Sequence, residues 1–447
     1  MHSHVRLARL WCGWMAALGI AACHTPDATA PSPLPTAQFT ISPAAQWSGD
    51  SVSIASTAFA FLPDSTFSVV VNGRSVAHRR LADSLIAFAL PAMASGSANI
   101  VIASGTDSAA AGAVTVAGFV GVMKPDPSVG NLYSVLDPVA GTALGTVTLA
   151  SGTSVIASLD LTSGRVTRYS SPTGFFADYG PAPDSRVGDV TFVDSTGKAV
   201  TWHLGAATAD SLGAVPYWKG RFTAQIGDST WLVTDNHMGY SVDSLGNIVL
   251  PLVTLESTWG FAYSPLRDLM TPLMNASYGA PVFDGRTGAV RLMVPSMGPV
   301  FGAAFSADDR TVFLGGTNSH GRQVLEAIDI ASGRIIGIDS TFPADTAGVI
   351  GMAVDPAGSQ LFVAVNAGAA GRVQLRVYDG STLAHITTID PPPDAPVCGG
   401  CWIAPMVVLN RTRRAYILVG GVGYTALKPQ IYVFDVLPNA SVSTARH

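Results

Sequence analysis

Two cysteines stand close together near the C-terminal end of the chain, as Cys398-Gly399-Gly400-Cys401. Such a pair closes in an oxidising compartment, or serves redox chemistry where a helix N-terminus depresses one thiol pKa. Here Pro391-Pro392-Pro393 precedes the pair and a strand pattern follows, so a structural disulfide between Cys398 and Cys401 is expected. Two cysteines without neighbouring histidines do not make a zinc site. His237 and His320 each follow an asparagine, as Asn236-His237 and Asn318-Ser319-His320. Asn275, with Tyr278 just beyond it, and Asn366 hold the same place in neighbouring segments. Histidines on separate elements can converge on a metal. Asparagines at such places more often close turns through their side chains. Glu256 and Glu326 are the only glutamates, which argues against a paired-glutamate acid–base site. No GxSxG elbow, P-loop, HExxH or EF-hand pattern is present. Neither a catalytic residue nor a cofactor nor a metal is expected.

These residues must be positioned by a large and weakly charged chain. Its 447 residues exceed one ordinary core. Charged residues make up 12%, about half the usual share. The formal charge is 25 − 30 = −5. No basic run appears, which argues against nucleic acid as a partner.

Residues 1–22 read as a signal peptide, with Arg6 and Arg9 ahead of a short apolar run from Leu10 to Ala22. That run is too short to span a bilayer comfortably. Leu18-Gly19-Ile20-Ala21-Ala22-Cys23 resembles the lipobox of bacterial lipoproteins, with Ile20 where leucine is commoner. The resemblance implies cleavage before Cys23, a diacylglycerol on its sulfur, and anchoring in the cell envelope. His24 follows where an aspartate would favour the inner membrane, so the outer membrane is expected. Residues 23–37 are rich in Pro, Ala and Thr and read as an extended tether.

Residues 38–118 alternate short Val/Ile/Phe/Thr runs with turn signals such as Asn72-Gly73 and Ser95-Gly96, the pattern of a β-sandwich. Ile41-Ser42-Pro43, Gly49 to Ile54, Phe59, Val69 to Gly73, Ser84-Leu85-Ile86, Pro91 and Gly96 follow in an order that resembles the IPT/TIG immunoglobulin-like domains. That resemblance implies a spacer or contact module.

Residues 119–438 repeat a loose unit of roughly 45 residues, the blade length of propellers. The clearest copies are 300–338 and 349–389. Each holds four strand-like runs joined by tight turns, and Asp-x-x-Ser/Thr-Gly turns recur along the repeat region. Seven copies can be counted, with six and eight as alternatives. Leu361-Phe362-Val363-Ala364-Val365-Asn366 and the preceding Gly351 to Gly358 resemble the YVTN branch of WD-type propellers. The whole chain is therefore expected to be all-β, an immunoglobulin-like sandwich followed by a propeller, with a polar tail at 439–447. The last repeat lacks an outermost strand, and the apolar run Val114 to Met123 is expected to supply it, since an open blade exposes an unpaired edge; the alternative is that Val120 to Met123 finish the immunoglobulin-like domain.

In a four-stranded blade the turn between the second and third strands opens on the same face as the connection between blades. That face is expected to gather Asn236, His237, Asn275, Tyr278, Asn318, His320 and Asn366, with Cys398 and Cys401 at its rim, and the Asp-Gly turns to lie opposite. The leading expectation is a binding or scaffold lipoprotein that contacts an envelope protein or glycan there. The alternatives are a lactonase-like hydrolase, which the YVTN resemblance implies, and a passive envelope spacer.

Overall fold

The computed structural model describes residues 39–437 except 59, 62–66, 105–106, 176–181, 184–187, 215–221, 227–228, 234–237, 244, 246, 255–257, 265, 267–268, 275–278, 343–347, 356–358, 368–371, 398–404, 410 and 420–428. Every regular element among the described residues is a strand.

The first nine strands are β1 (Phe39–Ser42), β2 (Ala45–Trp47), β3 (Ser51–Ser56), β4 (Phe67–Val71), β5 (Arg74–Val76), β6 (His78–Ala82), β7 (Leu85–Ala89), β8 (Gly96–Ser104) and β9 (Asp107–Ala117). They form two sheets, in the orders β1-β3-β7-β6 and β2-β9-β8-β4-β5. The first edge is shared: β1 runs antiparallel to β3, the chain breaks at Pro43, and β2 runs parallel to β9 in the other sheet. This is an immunoglobulin-like sandwich. Alternation along the strands builds its core, with Val52, Ile54, Val69, Val71, Ile86, Phe88, Ile100, Ile102 and Val114 meeting between the sheets. The β4–β5 hairpin turns on Asn72 and Gly73, at φ 46° and 79°, the sign a two-residue turn requires.

Among the described residues, seven further four-stranded antiparallel sheets follow. Numbered as blades in chain order, they span 129–169, 182–213, 222–254, 258–294, 297–339, 348–389 and 406–435. The first six are simple meanders. The inner strand of each touches the inner strand of the next, and Val129–Asp137 of blade 1 touches Arg414–Val419 of blade 7. Apolar clusters fill the seams. Leu144 and Ile156 meet Phe192 and Trp202 between blades 1 and 2, Val312 and Leu314 meet Val282 between blades 5 and 4, and Val407, Leu418 and Val433 meet Leu132 and Leu159 between blades 7 and 1. The sheets therefore close on themselves as a β-propeller, which covers both apolar faces of every blade.

Among the described residues, blade 7 contributes three strands from its own stretch. Its outermost strand is β10 (Phe119–Met123), which pairs antiparallel with Gln430–Asp435 through Val122↔Tyr432 and Met123↔Ile431. The closing strand thus comes from the expected run, but from its second half alone. Val114 to Ala117 belong to β9 of the sandwich, and Gly118 separates the two strands. A side chain at Gly118 would place its Cβ 3.2 Å from Ser48 Cβ and 3.4 Å from the Met93 carbonyl oxygen.

The turns between third and outer strands repeat one device. Asp160 Oδ1 accepts the amides of Thr162 and Ser163, Asp284 those of Arg286 and Thr287, and Asp379 those of Ser381 and Thr382. Gly164, Gly288 and Gly333 close the turns with φ between 67° and 72°. In blade 6 Leu383 takes this place at φ 56°, and its side chain is buried in the seam to blade 5. Blade 2 departs from the pattern. Its aspartate turn, in which Asp194 accepts the amides of Thr196 and Lys198, joins the second and third strands. The expected segregation of all Asp-Gly turns to one face therefore fails at blade 2. The motif there resembles a third-strand ending but follows the second strand.

Candidate functional site: one face of the propeller at blades 4 to 6

Asn318 ends the second strand of blade 5, Thr311–Asn318. Its carboxamide oxygen accepts the amides of His320 and Arg322, both at 3.0 Å, and its backbone amide donates to the Arg322 carbonyl at 2.8 Å. The asparagine thus closes its own turn, and the turn lifts His320 into solvent. Asn366 does not lie in a turn. It is within the strand Gln360–Ala367, opposite Gly348 on one side and Val373 on the other, and is buried. The sequence reading placed it in the loop, but it is the last residue but one of its strand, whereas Asn318 is the last residue of its own. Asn236, His237, Asn275, Tyr278, Cys398 and Cys401, and Cys23 at the chain start, lie outside the described residues.

Below this rim, the seams between blades carry polar side chains inside an apolar fold. Glu326 sits on the third strand of blade 5, 2% exposed, and accepts the Ser296 hydroxyl at 2.7 Å from the connection out of blade 4. Burial pushes the Glu326 carboxyl above its ordinary range, against the lowering by Ser296. Arg376 holds the same strand position in blade 6, three residues before the turn aspartate. Its guanidinium lies 3.5 Å from Asp339 Oδ2 and 4.4 Å from the centre of the Phe342 ring. Tyr378 donates to Asp339 Oδ2 at 2.6 Å, and the Thr341 amide and hydroxyl donate to Oδ1 at 2.7 and 2.6 Å. Burial raises the Asp339 pKa, but these donors and the Arg376 charge outweigh it and hold the carboxyl below its ordinary value. Burial and the bond to Asp339 keep Tyr378 protonated. In blade 7 the matching residue is Tyr432, whose hydroxyl bonds the Pro396 carbonyl in the connection out of blade 6. Three consecutive blades are therefore pinned, each to the connection preceding it, by a polar side chain at one repeat position. Gly348 completes the seam of blades 5 and 6. Its φ is 83°, and a Cβ there would lie 1.9 Å from Gln323 Oε1.

Sequence reading missed these pins. Their signal was an isolated charge within an apolar run, as in Val324-Leu325-Glu326-Ala327-Ile328 and Val373-Gln374-Leu375-Arg376-Val377, conspicuous in a chain with 12% charged residues.

Chemically, this arrangement holds turns and seams rigid and offers polar groups at a surface. Among the described residues no three His, Cys, Asp or Glu side chains gather as a metal site. His203 Nδ1 lies 2.6 Å from Asp189 Oδ1 in blade 2, and among the described residues no hydroxyl or thiol is bonded to that ring.

No family model and no curated protein matches the chain. Among solved structures it is similar to a chain in a crystal structure of the mitotic checkpoint complex, with a TM-score of 0.51 and 11% identity, over 72% of this chain and 92% of that one. At that identity the likeness speaks to fold alone. With the ring of four-stranded sheets it defines the class: an all-β protein with an immunoglobulin-like sandwich and a β-propeller.

Proposed function

We propose that the chain is an exported, lipid-anchored binding or scaffold module of the cell envelope, with a seven-bladed propeller. On this reading residues 1–22 are removed, Cys23 carries the lipid in the outer membrane, and residues 24–37 tether an IPT/TIG-like sandwich. A disulfide between Cys398 and Cys401 stiffens the rim. The face that carries Asn318 and His320, and with them Asn236, His237, Asn275 and Tyr278, meets an envelope protein or glycan. The observation that carries the binding reading is the blade 5 turn, where Asn318 uses its own side chain to hold His320 out in solvent on a braced scaffold. Loops fixed on a rigid scaffold are the usual place for recognition.

The anchor is tested by Cys23→Ala. The wild-type protein is expected in the membrane pellet after a high-pH wash and the variant in the soluble fraction. A variant that stays with the membranes removes Cys23 as the anchor.

A further inference from the structure

In blades 1, 4, 5 and 6 the third strand ends in an aspartate that caps the turn into the outer strand: Asp160, Asp284, Asp329 and Asp379. Blade 7 ends its third strand in the same residue, Asp435, yet its outer strand β10 comes from the other end of the ring. There is no such turn for Asp435 to cap. Its carboxylate is used elsewhere. Oδ1 accepts Arg414 Nε at 2.7 Å, Oδ2 accepts the hydroxyl of Ser95 in the sandwich, and the Asp435 amide donates to the Gly118 carbonyl at 2.8 Å.

We infer that the sandwich is a working part of ring closure, with Asp435 as the latch that takes Ser95 and the β9–β10 junction in place of a turn. Three further sets of contacts agree. The Ser95 amide donates to the Phe119 carbonyl at 3.0 Å, and the Ser48 amide to the Ala117 carbonyl at 2.9 Å, so the sandwich binds both ends of the junction. The Thr387 hydroxyl of blade 6 donates to Asp50 Oδ1 at 3.3 Å. Trp47, Ala117 and Phe119 share one buried cluster with Ile389 of blade 6 and with Val408, Tyr432 and Phe434 of blade 7. Because β9 runs into β10 across the single residue Gly118, the joint cannot swing without pulling on the closing strand. Whatever holds the sandwich therefore also aims the propeller.

The test is hydrogen exchange on the full chain, reading β10 and Gln430–Asp435 in wild type, Ser95→Ala, Asp435→Ala and Asp284→Ala. Ser95→Ala removes one hydroxyl, which also lies 3.2 Å from the Val116 carbonyl oxygen, and leaves the bond of the Ser95 amide to Phe119, so it guards against a variant that fails to fold. Both latch variants are expected to speed exchange in β10 at least about tenfold, the effect of losing roughly 1.4 kcal/mol from a local opening. Asp284→Ala is expected to change exchange only around its own turn. Unchanged exchange in β10 for Ser95→Ala, or an equal rise for Asp284→Ala, overturns the inference.

Discussion

Arg376→Ala is expected to lower the free energy of unfolding by about 3–5 kcal/mol, the cost of leaving a buried charge without its partner. Arg376 and Asp339 have side chains only 9% and 8% exposed. Water cannot screen the carboxylate once the guanidinium has gone. Tyr378 and Thr341 would still donate to it, but neither carries a compensating charge. The lost stacking over Phe342 adds to the damage. The cost should be greatest near neutral pH. Without Arg376 the folded-state pKa of Asp339 rises, so acid then protonates Asp339 and relieves the variant before it affects the wild type. Asp339→Asn placed on top of Arg376→Ala should recover part of the loss, because the buried charge is removed. Chemical denaturation of the two variants measures this. A single-variant loss below about 1 kcal/mol would reduce the pair to the rank of an exposed ion pair.

Phe119→Ala is expected to cost about 3–5 kcal/mol, the range for emptying a buried aromatic site. Phe119 is 6% exposed, and its ring lies 5.4 Å from that of Phe434 and 6.4 Å from that of Tyr432. It sits where the sandwich, the closing strand and blade 7 meet, so the cavity opens at a joint of three parts. The loss should appear in both parts of the chain at once, as a lowered melting temperature for sandwich and propeller together. Val120→Ala is the contrast. Val120 is on the same strand but 40% exposed, and its truncation should cost well under about 1 kcal/mol. Equal losses for the two variants would mean that β10 is held by its backbone pairing alone.

The propeller was legible because its signals are local. Alternation of apolar residues gives strands, and an aspartate followed by a positive-φ glycine gives the turn. Both repeat at blade length. The Asn72-Gly73 hairpin was readable for the same reason. What was not legible depends on residues far apart in the chain. Ser296 meets Glu326 within one blade unit, Asp339 meets Arg376 between neighbouring blades, and Ser95 meets Asp435 only because the ring closes. Val114 to Met123 read as one apolar run because nothing local shows that Gly118 passes the chain from one sheet to another. In blade 2 the sequence around Asp194 carries the same turn chemistry as its neighbours at a different step of the meander. Turn chemistry alone does not say which pair of strands it joins. Asn318 and Asn366 looked equivalent, but Asn318 is the last residue of its strand and half-buried, whereas Asn366 is the last but one of its strand and buried.

Binding is expected at the face that carries His320. Blade 5 offers an internal comparison, since His320 and Arg334 are both exposed but stand on turns at opposite ends of the same sheet. Neither side chain closes its turn, so a glutamate at either position should leave the fold intact. The measurement is crosslinked capture of envelope components by the full-length, lipidated protein, with His320→Glu and Arg334→Glu beside the wild type. His320→Glu is predicted to reduce capture at least about tenfold, a loss of roughly 1.4 kcal/mol, while Arg334→Glu leaves it unchanged. Capture that survives His320→Glu and is lost with Arg334→Glu would place the contact on the aspartate-turn face and contradict the account.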